Sequence, residues 1–194
     1  MVHTLASLSF AWMTWLCAAA APNCLRPPDP HIRSMHPRLI DAVSAGTQSS
    51  PTFRRIVEAI ERSNVIVYVV FERPSRPGIA AHVAFISAAR GRRYVHAALD
   101  PSLDGARLVS MLAHELQHAA EIAGDPAVVD DRTLAALYQR IGVDCGAGAF
   151  GREFDSAAAI DAGGRVLREL RDGFAQLPAG TGAGSGAGCS DVCR

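Results

Sequence analysis

The sequence predicts an α+β domain, with a small antiparallel sheet of about three strands packed on a helical core. A run of β-branched apolar residues, Val65–Phe71, is typical of a strand. Two further strand segments follow at 79–89 and 92–99, joined by a turn around Arg90-Gly91. Helical periodicity dominates the chain on both sides of these strands, which makes the prediction a mixed one.

Capping residues and apolar periodicity predict the helices. Ser50-Pro51 offers a cap followed by a proline at the first helical position, and Asp104 and Asp130 precede two later helices. The Gly/Ala-rich residues 143–151 predict a loop. The predicted helices cover residues 37–45, 51 to about 63, 106–123, 131 to about 141, and a last helix from about 155 or 156.

The composition narrows the possible functions. The chain has 194 residues, enough for one domain with a real core, and we expect a monomer. Its formal net charge is zero, which gives no support to nucleic-acid binding or to an anionic-membrane role. All 19 basic residues are arginine, so Schiff-base chemistry on a lysine is excluded.

The two ends of the chain differ from the middle. Residues 1–21 combine an apolar stretch with an Ala-x-Ala site, which predicts a signal peptide, export to the periplasm or medium, and no stable membrane association after cleavage. An uncleaved anchor is the alternative, because the segment lacks Lys and Arg. A proline-rich linker at 22–36 then leads to a domain at 37–177, and the Gly/Ser-rich tail at 178–194 is expected to be disordered.

Cysteine usage agrees with export. One of the five cysteines falls in the predicted signal peptide, and the other four could form two disulfides with three possible connectivities. The four are Cys24, Cys145, Cys189 and Cys193.

The central predicted helix carries the pattern H-E-x-x-H at His114, Glu115 and His118. Residues four apart lie on the same face of a helix, so the two imidazoles can bind one Zn²⁺ from a single rigid element. The carboxylate of Glu115 would then lie beside the metal, where it can take a proton from bound water. The other side of this helix is apolar, which predicts a buried back and a His/Glu front.

A catalytic zinc needs a third protein ligand, and three acidic residues are candidates. Asp155 lies at the start of the last helix, whose small residues would allow close packing against the histidine helix, although it could instead cap that helix. Glu153 could reach in from the preceding loop. Glu121 lies too far along the same helix from His114 to share its ion, so we expect it to orient His118 or to pair with an arginine.

The histidine helix, preceded by strands and followed by a helix with an acidic residue, resembles the zincin metallopeptidases of the gluzincin branch. In that branch the two motif histidines and a downstream Glu bind zinc, and the motif Glu is the general base. The resemblance implies a zincin-like helical core, with the strand before the helix lining the substrate cleft. The metzincin pattern is absent, because no Gly and third His follow His118 at its spacing.

A narrower resemblance, covering residues 50–172, is to a group of small bacterial metallopeptidase-like proteins. It rests on Arg93–Val95, Leu112–Ala119 and the last helix. Those proteins carry a Tyr-Glu-Thr-like segment that aligns with Phe154–Ser156, which favours Asp155 over its neighbouring glutamate as the third ligand. This chain has Asp where that pattern has Glu, and the shorter side chain bears on how tightly zinc is bound.

The sequence therefore predicts a zinc-dependent hydrolase acting on a peptide or protein, with His114, His118 and Asp155 as ligands and Glu115 as general base. Two alternatives stay open. The domain could be a weak or inactive zincin that binds metal or peptide, or it could be a structural or interaction domain without metal.

Overall fold

The structure is a computed structural model that describes residues 29–73, 79–148 and 151–175. The described residues form five helices and six strands, which confirms the α+β fold class. In chain order these elements are β1 (Ile32–Arg33), α1 (Pro37–Ser49), α2 (Pro51–Glu61), β2 (Val65–Phe71), β3 (Ala81–Ala89), β4 (Arg92–Leu99), α3 (Gly105–Gly124), α4 (Asp131–Ile141), β5 (Gly142–Gly148), β6 (Gly151–Ser156) and α5 (Ala157–Ala175).

Some predictions fall outside the described residues: the signal peptide 1–21, the first part of the linker and the tail 178–194. The end of the proposed linker is described, and there Ile32–Arg33 forms β1, which pairs in parallel with β2. Among the described residues, none of the helices combines the length and the apolar character that a membrane span requires.

The larger sheet is mixed, so the prediction of a three-stranded antiparallel sheet is wrong in strand number and direction. Within the described ranges it has four strands in the order β1-β2-β4-β3. β2 and β4 run parallel, with Val67 opposite Val95, whereas β3 is antiparallel to β4. The β3–β4 turn is formed by Arg90 and Gly91 with positive φ angles of 51° and 73°, the geometry of a two-residue hairpin.

The physical reason for this difference is that a tight turn specifies its own pair of strands locally, whereas an apolar run does not specify its neighbour. Pairing β2 with β4 places the two most buried strands in the centre of the sheet. β3, which is more exposed along its length, is left at the edge.

The helices cover one face of this sheet, and α3 lies at the centre, in contact with α1, α2, α5 and strands β2 to β4. Fully buried side chains such as Phe53, Leu112 and Val95 form the core, and burial of each contributes roughly 1.5–3 kcal/mol. α1 and α2 approach closely at Gly46, where a Cβ atom would lie 2.7 Å from the ring of Phe53. Only glycine allows that contact without displacement.

Arg93 fixes the end of α3 against the sheet. Its guanidinium group is buried and donates hydrogen bonds to the carbonyl oxygens of Ile122 (2.7 Å) and Asp125 (2.6 Å) and to the side chain of Asn64. Carbonyl groups at the end of a helix lack intrahelical partners, so this arginine satisfies them while it anchors α3 to β4.

The segment predicted as a loop at 143–151 is instead part of a β-hairpin. β5 and β6 are antiparallel, with Val143 opposite Asp155, and for 144–148 and 151–154 only the backbone is described. Glycine and alanine have low strand propensity, so the composition predicted a loop. In the structure, backbone hydrogen bonds between β5 and β6 form a two-stranded antiparallel sheet there. The consequence is that Asp155 reaches the helical layer at the end of a strand, directly before α5.

Candidate metal centre

α3 places both motif histidines and Glu115 in the interior. Asp104 occupies the N-cap position of this helix, as predicted, although its side chain makes no capping hydrogen bond. The rings of His114 and His118 lie one turn apart, with centroids 4.9 Å from each other. His114, Glu115 and His118 are 7%, 3% and 7% exposed, so the polar front of α3 faces other elements and not bulk solvent.

Asp155 meets both histidines. Its Oδ1 atom lies 3.2 Å from Nε2 of His114 and 3.2 Å from Nε2 of His118, and the aspartate is 7% exposed. The donor atoms of the three residues all lie within 4.8 Å of one another, which makes them a buried group able to hold a metal ion. These are the three ligands predicted from the sequence.

Close packing of α5 on α3 supports this arrangement. At Gly163 a Cβ atom would lie 3.3 Å from the carbonyl oxygen of Ser110 and 3.4 Å from Cβ of His114. The hydroxyl of Ser110 donates a hydrogen bond of 2.9 Å to the carbonyl oxygen of Gly163. Ala159 and Ala162 on the same helix are buried, as expected for the contact face, whereas Ala158, which was expected on the same face, is exposed.

Ser156, and not Asp155, caps α5. Its hydroxyl accepts a hydrogen bond of 3.0 Å from the backbone N–H of Ala159. The alternative that Asp155 only caps α5 is therefore wrong. Its Oδ1 atom accepts a hydrogen bond of 2.7 Å from the backbone N–H of Ser156 and also meets both histidines. Ser156 also donates a short hydrogen bond to Oε1 of Glu121. The residue type indicates this role, because serine is a preferred N-cap residue.

Glu121 and Tyr138 contact the other side of the His118 ring. Oε2 of Glu121 and the hydroxyl of Tyr138 each lie 3.0 Å from Nδ1 of His118. A carboxylate accepts the Nδ1 proton and so fixes the tautomer that leaves Nε2 free as a ligand. Glu121 therefore orients His118, as expected, and is not in the ligand group. Tyr138 was missed, because a tyrosine on a helix is ordinarily a packing residue.

Glu153, the other candidate ligand, lies on β6, and its side chain is outside the described residues. The ligand group that the structure describes at this place contains Asp155 as its carboxylate.

The charges of this cluster are strongly coupled. Burial alone would lower the pKa of His118, but its hydrogen bonds to Asp155 and Glu121 and the nearby charge of Glu115 outweigh it and raise the pKa to about 9. Burial acts to raise the pKa of Asp155, yet hydrogen bonds from both histidines hold that pKa well below its ordinary value. Burial also raises the pKa of Glu115, against the opposing effect of His114 and His118.

Glu115 is the unusual member of the cluster. Its Oε2 atom is buried and, among the described residues, has no hydrogen-bond partner. An unpaired buried carboxylate oxygen costs free energy, roughly 1–3 kcal/mol or more for a charged group. Such a cost is characteristic of functional sites, where an acceptor is held ready for a ligand or a proton.

Comparison with known proteins identifies no relative of this chain. No protein-family model, no curated protein and no solved structure matches it. The chemistry of the site must therefore be inferred from its own residues.

Proposed function

We propose that this chain is a zinc-dependent hydrolase of the zincin type that cleaves peptide bonds, with Glu115 as the general base. The observation that carries the proposal is the buried convergence of His114, His118 and Asp155 beside a carboxylate oxygen without a partner among the described residues. The H-E-x-x-H pattern on one helix supports the same reading, because it combines two metal ligands and a base at the required spacing.

The donor set fits zinc. Two imidazole nitrogens and one carboxylate oxygen are typical of catalytic zinc sites, in which a fourth position is open. His114, His118 and Asp155 would hold the ion, and their burial restricts competition from bulk water. Zinc in such a site lowers the pKa of water and polarises a carbonyl group.

Glu115 supplies the proton acceptor. Its Oε2 atom, which has no hydrogen-bond partner among the described residues, can accept a proton from water. The same carboxyl group can then return the proton to the leaving amine. Glu121 and Tyr138 hold the ring of His118 in place during this cycle.

A second candidate is a structural cluster that needs no metal. Asp155 Oδ1 already lies within ion-pairing distance of both imidazoles, and Glu121 and Ser156 extend this network. A domain of that kind would serve binding or interaction. A zincin-like domain that binds metal but does not hydrolyse peptides is an intermediate alternative, with the metal site of the first candidate and the inactivity of the second.

Zinc content and peptide hydrolysis, measured on the same preparations, separate these functions. Glu115→Gln should retain zinc but lower hydrolysis of an unfolded protein substrate by about 100-fold or more. His118→Ala should lose hydrolysis and the zinc held by His114, His118 and Asp155. Glu58→Gln, on the exposed surface of α2, is the matched control and should change neither. Hydrolysis that survives Glu115→Gln would refute the general base, and a folded parent from which His118→Ala removes no zinc would favour the structural cluster.

Export belongs to the same proposal and rests on residues 1–21. Protein recovered from the periplasm or medium with a new N-terminus near Ala21 would support it. Full-length protein retained in the membrane fraction would favour the uncleaved anchor.

A further inference from the structure

A second group of metal-binding side chains lies on the opposite face of the larger sheet. Successive residues of a strand point to opposite faces. Val95 and Ala97 of β4 are buried in the core beneath the helices, so His96 between them lies on the outer face. The ring of His82 on β3 lies 6.3 Å from that of His96, measured between centroids, which places both histidines on this outer face.

Glu72 completes this group from the other side of β4. It directly follows β2, and its backbone N–H donates a hydrogen bond of 2.9 Å to the carbonyl oxygen of Leu99, so its position is fixed by the sheet. Donor atoms of Glu72, His82 and His96 all lie within 4.8 Å of one another. Metal bonds of about 2.1 Å place donors about 3.4 Å apart, so side-chain adjustments of about 1 Å would suffice.

These three side chains differ from the first cluster in their hydrogen bonding. Among the described residues, the imidazole nitrogens of His82 and His96 and the carboxylate of Glu72 make no hydrogen bond or ion pair, and the two rings contact each other edge to face. Glu72 and His82 are exposed and His96 is half-buried. A divalent cation could therefore bind without breaking internal contacts and would keep an open position for water.

We propose that Glu72, His82 and His96 form a second site for a divalent transition-metal ion, zinc being the first candidate. Two imidazoles and one carboxylate favour Zn²⁺ and similar borderline ions over Ca²⁺ or Mg²⁺, which prefer oxygen ligands. The bound ion links the edge strand β3 to β4 and to the end of β2. Its role is to stabilise that edge, and it is separate from the proposed hydrolytic centre.

Zinc stoichiometry of the full-length chain tests this site. Chelator-treated protein is titrated with zinc in a calorimeter, and thermal unfolding is followed with and without zinc. His82→Ala and His96→Ala should each remove one bound zinc per chain and lower the zinc affinity of this site by more than about 100-fold. Loss of a residue that only hydrogen-bonds to a metal ligand already lowers metal affinity by about 10- to 100-fold. The zinc-dependent rise in Tm should shrink accordingly.

Two comparisons make the result decisive. His36→Ala removes an exposed histidine outside the group and should leave the stoichiometry unchanged. His118→Ala reports on the other centre. If that centre binds no zinc but the second site does, the parent binds one zinc per chain. His82→Ala then removes this zinc and His118→Ala does not. The second site is overturned if His82→Ala and His96→Ala, folded by circular dichroism, bind as much zinc as the parent.

Discussion

Replacement of Glu121 by alanine tests whether the network behind His118 tunes metal binding. Glu121 accepts one hydrogen bond from Nδ1 of His118 at 3.0 Å and another from the hydroxyl of Ser156. A hydrogen bond to a charged group contributes roughly 1.5–3 kcal/mol. Since about 1.4 kcal/mol is a tenfold change in an equilibrium constant, loss of the first bond should weaken zinc binding by roughly 10- to 100-fold.

The assay is competition for zinc between the protein and a chromogenic chelator. Glu121→Gln keeps an oxygen that can accept from Nδ1, so it should weaken binding less than the alanine variant. Glu58→Gln, far along the chain on α2, controls for the loss of a surface charge. Zinc affinity of Glu121→Ala equal to that of the parent would show that this hydrogen bond does not orient the ligand.

Three further outcomes follow from the described contacts. Gly46→Ala should lower the free energy of urea unfolding by about 1–3 kcal/mol, because its Cβ would overlap Phe53. The control Gly124→Ala, with open space around it, should be neutral or slightly stabilising. Equal effects of the two substitutions would refute the packing argument. In metal-free protein the raised pKa of His118 contributes to the free energy of unfolding. This contribution is fully present below pH 6.5 and is lost as the pH rises through about 9, a fall of up to about 3 kcal/mol. Unfolding midpoints that do not change over this pH range would contradict this prediction. Asp155→Asn should bind one zinc fewer per chain than the parent in metal analysis, because an amide is a much weaker ligand. A zinc content equal to that of the parent would remove the aspartate from the site.

The sequence predicted those parts of the molecule that local patterns determine. The spacing of His114 and His118 required a helix, and α3 covers both. The side chain of Asp130 accepts from the N–H of Thr133 and caps α4, as expected from its residue type. Asp155 was proposed from a resemblance and from the small residues that follow it, and the structure places it against both imidazoles.

The features that could not be predicted from the sequence depend on contacts between segments that are distant along the chain. Nothing local to β2 indicates that it pairs in parallel with β4, since strand neighbours are determined by the whole core. That pairing brings Glu72 to His96, so the second metal group could not be predicted while the sheet order was wrong. Tyr138 reaches His118 only because α4 packs beside α3, and its position in the sequence carries no sign of that contact.

X-ray diffraction from zinc-loaded crystals, recorded above and below the zinc absorption edge, would locate the bound ion and identify its ligands. We expect an anomalous peak among His114, His118 and Asp155, about 2.0–2.2 Å from Nε2 of each ring and from a carboxylate oxygen. Absence of a peak there at full zinc saturation, with Asp155 still paired directly to both imidazoles, would contradict a metal centre formed by these three residues.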